Sequence, residues 1–281
     1  MNTPLPATMI RSRYTPLLYL CALILFGMVG IALFAPWIAP HDPNLVDLTQ
    51  KLHGPSSAYP LGTDQLGRCL LSRLIYGARI SLGCAVLIFV ASLAIGLFVG
   101  TLAGYRGGWV DQLLMRLCDG VMAFPSLILV LGLVGIFGPG LKQVIIALML
   151  VQWVYYARMF RGMVMTLKTE AFIAAARVNG SSSWKIIRTH ILPNILPPLL
   201  VIGTLEMGWA IMDISAMSFL GLGVQSPTAE WGAMIHEGKS YIRTNPELMI
   251  YPGLAIMLVI ISFNLVGEQL AERFGVSKTM K

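Results

Sequence analysis

Three carboxylates interrupt long apolar runs of this chain: Asp119, Glu206 and Asp213. Holding a carboxylate at membrane depth without a partner costs at least ~2.5 kcal/mol, so such groups face a wet cavity or a bundle interior. Glu206 and Asp213 are seven residues apart, two helical turns, and therefore share one helix face. There they can line a path that favours a cationic substrate, with Met207 and Met212 beside them. The same spacing also suits an inter-helix hydrogen bond or a subunit contact. Asp119 lies three residues after Arg116, which fits an intrahelical pair and a structural role.

Other chemistry is poorly supported. The four histidines, His41, His53, His190 and His236, are scattered and form no close ligand pair. The only P-loop-like string is Gly238-Lys239-Ser240, and Gly232 lies one residue too far upstream for the phosphate-binding spacing. No nucleophile elbow or zinc-protease motif occurs. None of the four cysteines sits in a C-x-x-C pair; Cys21, Cys84 and Cys118 lie in apolar runs and read as packing residues, and Cys69 lies in a more polar segment. Sixteen methionines could line a path for a soft metal, but flexible gap-filling explains them as well. The residues thus assign no metal site, no catalytic group and no bound cofactor to this chain.

The elements that must position these residues are set by composition. Of 281 residues 56% are hydrophobic and 12% charged, with a mean hydropathy of +0.74. An average soluble domain is about 25% charged, so a soluble enzyme and a disordered chain are both excluded in favour of an all-α integral membrane protein. Spans are expected at about 17–39, 80–104, 113–138, 141–160, 193–223 and 248–267, six in all. They make one transmembrane unit over 17–272, between an N-terminal segment 1–16 and a tail 273–281. The net charge of +7 is spread over the ends of apolar runs, which fits topology and anionic headgroups rather than nucleic acid. With the N-terminus inside, twelve Lys and Arg fall inside and seven outside, Arg116 being set aside within a span. Both termini are then cytoplasmic.

Three polar segments remain, 40–79 and 224–247 outside and 161–192 inside. The outside pair offers Asp64, Arg68, Glu230 and Trp231, with Arg73, Glu237 and Lys239, as polar docking contacts for a delivery protein. Trp231 suits an amphipathic anchor there, or a membrane-interface belt. The inside segment predicts two short helices, one capped by Thr169 and stopped by Gly180, the next capped by Ser181–Ser183 and limited by Pro193. Arg177, Lys185 and Arg188 should be exposed on it. Such a structure either meets a partner or lies on headgroups.

The stretch Glu170–Asn194, with A-A-A-R-V-N-G and H-I-L-P-N, resembles the EAA loop of ABC importer permeases. Leu61–Leu82, Met217–Gly223, Pro227–Met234, Pro252–Gly253 and Phe263–Gly267 resemble, in order, segments of the C-type permeases of dipeptide, oligopeptide and nickel importers. Ala229–Ile235 and Met217–Gly223 are most similar to the nickel permeases. Two positions depart from the family pattern: Ala174, where Glu is frequent, and Cys69, where Asp is usual. The resemblance implies a six-helix type I importer permease in the bacterial inner membrane, without its own ATPase site. It makes Ala174, Ala175, Ala176, Arg177, Gly180 and Pro193 the part that docks on an ATPase subunit. It further implies a homologous second permease, two ABC ATPases that use the ATP, and an external substrate-binding protein. Nickel as a chelate is the favoured cargo and a di- or oligopeptide the alternative. An ATP-independent secondary transporter is the competing class; it would need no docking loop.

Overall fold

The structure, a computed structural model, describes residues 15–273. The expected cytoplasmic segment 1–16 (all but its last two residues), the tail beyond Arg273, and the charges on Arg11, Arg13, Lys278 and Lys281 lie outside the described residues. Among the described residues the regular elements are all helical, apart from one isolated β-bridge between Thr63 and Cys69. We number the principal helices α1 (Thr15–Leu33), α2 (Leu70–Arg106), α3 (Gly108–Met122), α4 (Ser126–Phe137), α5 (Leu141–Lys168), α6 (Ala171–Val178), α7 (Ser183–Phe219), α8 (Trp231–Gly238) and α9 (Glu247–Arg273).

α2, α5, α7 and α9 are long and apolar enough to cross a membrane. α3 and α4 amount to a fifth crossing only if the bent pair counts as one, and Tyr19–Leu33 of α1 is a shorter apolar helix. The span expected over 113–138 is therefore broken: its two halves meet at 85°, with the break at Ala123–Pro125. Pro125 has no N–H to continue the hydrogen-bond ladder and disfavours helix at Phe124. The first span also stops early, at Leu33, before a four-residue turn Ala35–Ile38 that carries Pro36 in its first turn.

α2 is 37 residues long, about 55 Å at 1.5 Å per residue, well beyond a ~30 Å hydrocarbon core. Its first ten residues belong to the polar segment expected outside. α2 packs on α5 through Gly96, Gly100 and Gly104, one residue per turn on one face. A Cβ at Gly96 would lie 2.4 Å from the Tyr156 Cβ, and one at Gly100 2.4 Å from the Ala157 carbonyl oxygen. Only glycine permits this approach of the two backbones.

Residues 161–168, expected in the inside loop, continue α5, so that loop is shorter than the polarity pattern suggests. Pro193 does not limit a short helix either. The chain runs from Ser183 to Phe219 as one helix, with a wide turn at Ile187–Ile191 where the Leu192 N–H reaches back five residues to the Ile187 carbonyl. The widened turn gives the pyrrolidine ring of Pro193 room that a regular α turn would deny it.

Two cores hold the bundle, with a third small cluster of Cys118 on α3 against Val154 and Ala157 on α5. The larger joins α2, α4, α5, α7 and α9 around Ile88, Val134, Val144, Ile211 and Val259. The smaller seats the helices of the segment expected inside: Ile173 and Ala176 of α6, and Ile186 and Ile191 of α7, pack on Tyr156, Phe160 and Val164 of α5. Cys21, Cys69, Cys84 and Cys118 are all unpaired and buried.

Candidate functional site

A cavity of about 530 Å³ lies between α5, α7 and the α3–α4 bend. α7 supplies Glu206, Trp209, Ala210 and Asp213, the i, i+3, i+4, i+7 stripe of one helix face. α5 faces it with Val151, Gln152, Tyr155 and Tyr156. The bend closes one end with Val121, Met122, Phe124 and Ser126. Tyr155, Trp209 and Phe124 each keep about half or more of their surface exposed, so the cavity is open along one side.

Both carboxylates are held from α5. The Tyr156 hydroxyl donates to Glu206 Oε2 at 3.2 Å, and the Gln152 amide donates to Asp213 Oδ2 at 2.8 Å. Tyr156 is steadied in turn by the edge of Phe89, ring centres 6.1 Å apart. Each carboxylate thus takes one side-chain donor and retains acceptor capacity for a cation or an ammonium group. The shared face of Glu206 and Asp213 is read correctly from spacing. The methionines are not part of it: Met207 is buried in the larger core and Met212 is exposed, and neither lines the cavity. A helix turns 100° per residue, so the neighbours of a lining residue point elsewhere. Gln152, Tyr155 and Tyr156 are lining residues that the sequence reading missed; their polar groups at i and i+4 inside the apolar run of α5 were the available signal.

Asp119 is paired with Arg158 of α5, not with Arg116. Both members are about half exposed. One helical turn further along each helix lie Met122 and Tyr155, so the pair sits just beyond the cavity's edge.

The expected docking residues at the other end are internal. Asp64, Arg68, Glu230 and Trp231 are each 3% exposed or less, and so cannot present a docking surface. Arg68 bonds Asp64 Oδ2 through Nε and Glu237 Oε2 through Nη2, both at 2.6 Å. Arg73 adds a 3.0 Å bond to the same Glu237 oxygen and one of 3.1 Å to the Pro227 carbonyl. Two arginines and two carboxylates thus cancel inside the protein and clamp segment 64–73 to segment 226–237. Glu230 caps α8, accepting from the N–H groups of Gly232 and Ala233, while Ser81 donates to it at 2.9 Å. Trp231 lies against Gly77 and donates through Nε1 to the Leu74 carbonyl. It is neither surface anchor nor belt residue. A sequence shows charge and amphipathicity but not which loops fold onto each other, and that decided these residues' burial.

At the opposite end, α6 presents Phe172, Val178 and Arg177 outward, with Ala174, Ala175 and Gly180 also exposed. Val178 is 88% exposed. Ala176 is buried against α5, and Pro193 is exposed at the start of the regular part of α7. Thr169 does not cap α6: the N-cap residue is Glu170, without a side-chain bond, and the Thr169 hydroxyl donates to the Thr166 carbonyl. Ser182 does cap the next helix, accepting from the Lys185 N–H. Gly180, at φ +76, ends α6 as expected. Arg177, Lys185 and Arg188 are exposed.

A polytopic helical bundle with a carboxylate-bearing cavity between its helices and a short exposed helix, α6, at one end has the architecture of a membrane permease. Comparison with known proteins agrees. Residues 96–276 match the family described as binding-protein-dependent transport system inner membrane component, and residues 11–55 match the N-terminal TM domain of oligopeptide transport permease C. The chain belongs to this family of ABC importer permease subunits, multi-pass membrane proteins that are not enzymes. It is 43% identical over 252 residues to the nickel transport system permease protein NikC of Escherichia coli, covering 89% of this chain and 91% of the relative. It is 38% identical over 254 residues to the probable D,D-dipeptide transport system permease protein DdpC of Escherichia coli, covering 90% and 85%. It is 39% identical over 246 residues to the glutathione transport system permease protein GsiD of Pectobacterium atrosepticum, covering 87% and 82%. The fold matches an inward-facing structure of the MetNI methionine ABC transporter with a TM-score of 0.57 at 19% identity, over 72% of this chain and 95% of the other.

Proposed function

We propose that this permease subunit carries nickel, bound as a chelate, across the bacterial inner membrane. The observation that carries the reading is the pair Glu206 and Asp213 on one wall of a single cavity, each held by a neutral donor rather than a cation. Two carboxylates without a resident counter-charge favour positively charged cargo. The relative NikC, 43% identical, supports the same direction. The cavity and its aromatic rims also accommodate a cargo with an organic shell. A second reading rests on the same features: a short peptide has an ammonium terminus and apolar side chains, and DdpC is 38% identical.

Energy enters at the opposite end of the bundle. α6 and the start of α7 dock into ATPase subunits, with Val178, Phe172 and Trp184 as apolar contacts and Arg177 as the polar one. Because α7 runs unbroken from this face to Asp213, a push on its first turn displaces the carboxylate wall. The open side of the cavity is completed by a homologous second permease. A substrate-binding protein delivers cargo at the clamped outer end, where Lys51, Lys239 and Arg243 are exposed. Both termini lie in the cytoplasm.

The test is uptake of radiolabelled nickel and of a radiolabelled dipeptide by cells lacking this chain, with and without a plasmid that restores it. Nickel uptake restored alone supports the reading. Dipeptide uptake restored alone transfers the cargo to the second reading.

A further inference from the structure

Tyr105 stands where three elements of the inside face meet. It is the penultimate residue of α2. The Lys168 ammonium, at the last residue of α5, donates to the Tyr105 carbonyl at 2.6 Å and lies 5.7 Å from its ring centre. The Arg177 guanidinium of α6 lies 5.8 Å from the same ring centre. One aromatic ring therefore takes two cations from two other helices, within the range of cation–π attraction.

The backbone just past Tyr105 matters as much. α2 ends at Arg106, and the chain turns through Gly107 at φ +67 and Gly108 at φ +59. Both angles lie where side-chain-bearing residues are strained, so the turn is a short glycine joint. α3 begins at once, and Asp111 in its first turn is gripped by Arg161 of α5, with Nη2 2.7 Å from Oδ2. The far end of α3 carries Val121 and Met122 into the cavity wall, facing Glu206 and Asp213 of α7.

We infer that Tyr105 is a positioning residue that ties α6 to the glycine joint, so that motion of α6 reaches α3 as well as α7. The route rests on the coupling role proposed for α6. Through α7 an ATPase-driven push shifts the carboxylate wall, and α5, on which α6 packs and whose Arg161 holds Asp111, gives α3 a partial link. Through Arg177, Tyr105 and the joint, it also shifts the facing wall formed by the end of α3. Both walls then move in step, which a gate needs if it is to open to one side at a time.

The test uses the whole importer reconstituted in proteoliposomes, with spin labels at Trp109→Cys on α3 and, separately, Met212→Cys on α7, each exposed, paired with a label on the partner permease. Distances are read without nucleotide and after trapping with ATP and vanadate. In the otherwise unaltered chain both labels shift. With Tyr105→Phe, which keeps the ring, both still shift. With Tyr105→Leu the α7 label shifts in full and the α3 label by less than half as far, and cargo moved per ATP falls about fivefold, the low end for coupling between sites. An α3 shift of full size in Tyr105→Leu overturns the inference. Shifts at neither label in the unaltered chain overturn the coupling role of α6 itself. If Tyr105→Leu fails to assemble, Tyr105→Met, which fills more of the space but has no ring face for Arg177, carries the same comparison.

Discussion

Arg68 and Glu237 lie 169 residues apart in sequence, yet the Arg68 Nη2 rests 2.6 Å from the Glu237 Oε2. The Arg68 side chain is fully buried, and its charge is answered within the same buried cluster by Asp64 and Glu237. Removing one member of such a cluster leaves the others uncompensated. Arg68→Ala should cost about 3–5 kcal/mol, the range for breaking a buried ion pair. Glu237→Gln should cost less, because Asp64 still faces both arginines. Denaturant unfolding in detergent micelles measures both; equal stability of Arg68→Ala and the parent would show the clamp to be unimportant.

Gly100 of α2 touches the Ala157 carbonyl and Phe160 of α5. An added methyl would press on backbone, which cannot rotate away. Gly100→Ala is expected to destabilise by ~1–3 kcal/mol, the usual penalty for overpacking. Gly83→Ala, on the same helix with open space around it, should instead stabilise by ~0.5–1 kcal/mol, the gain of alanine over glycine inside a helix. The same unfolding experiment compares the two.

Glu206 and Asp213 are predicted to act on cargo. Glu206→Gln and Asp213→Asn should each slow uptake at limiting substrate by roughly tenfold, which corresponds to ~1.4 kcal/mol. Tyr156→Phe removes only a donor that steadies Glu206 and should have a smaller effect. Unchanged uptake in Glu206→Gln removes that residue from the path.

Asp119 pairs with Arg158 rather than Arg116, and a double-mutant cycle distinguishes the two. Asp119→Asn with Arg158→Gln should show a coupling energy near ~1 kcal/mol, modest because both side chains are about half exposed. Asp119→Asn with Arg116→Gln should show none. Reversed couplings would favour the intrahelical pair.

Val178 projects from α6 with 88% of its surface exposed. Val178→Asp should leave the permease folded and abolish co-purification of ATPase subunits, since a charge enters an apolar contact. Retention of the subunits at parental yield would place the docking face elsewhere.

Helical class and membrane residence were legible in the sequence because apolar length and charge placement are local properties of the chain. So were the shared face of Glu206 and Asp213, set by the helical repeat, and the left-handed stop at Gly180. The A-A-A-R-V-N-G and H-I-L-P-N segments further identified the family. The 85° break at Pro125 and the continuation of α7 through Pro193 were less legible, since a proline marks a boundary in one packing context and is absorbed by a wide turn in another. The roles of Asp64, Arg68, Glu230 and Trp231 were inverted by tertiary structure. Their charges and ring suggested an exposed outer surface; the folding of one polar segment onto the other buried all four. The partner of Asp119 and the donors to the cavity carboxylates were likewise settled only by which helices pack together. Local patterns record how each residue relates to its own helix, whereas burial and pairing depend on residues brought close from distant parts of the chain.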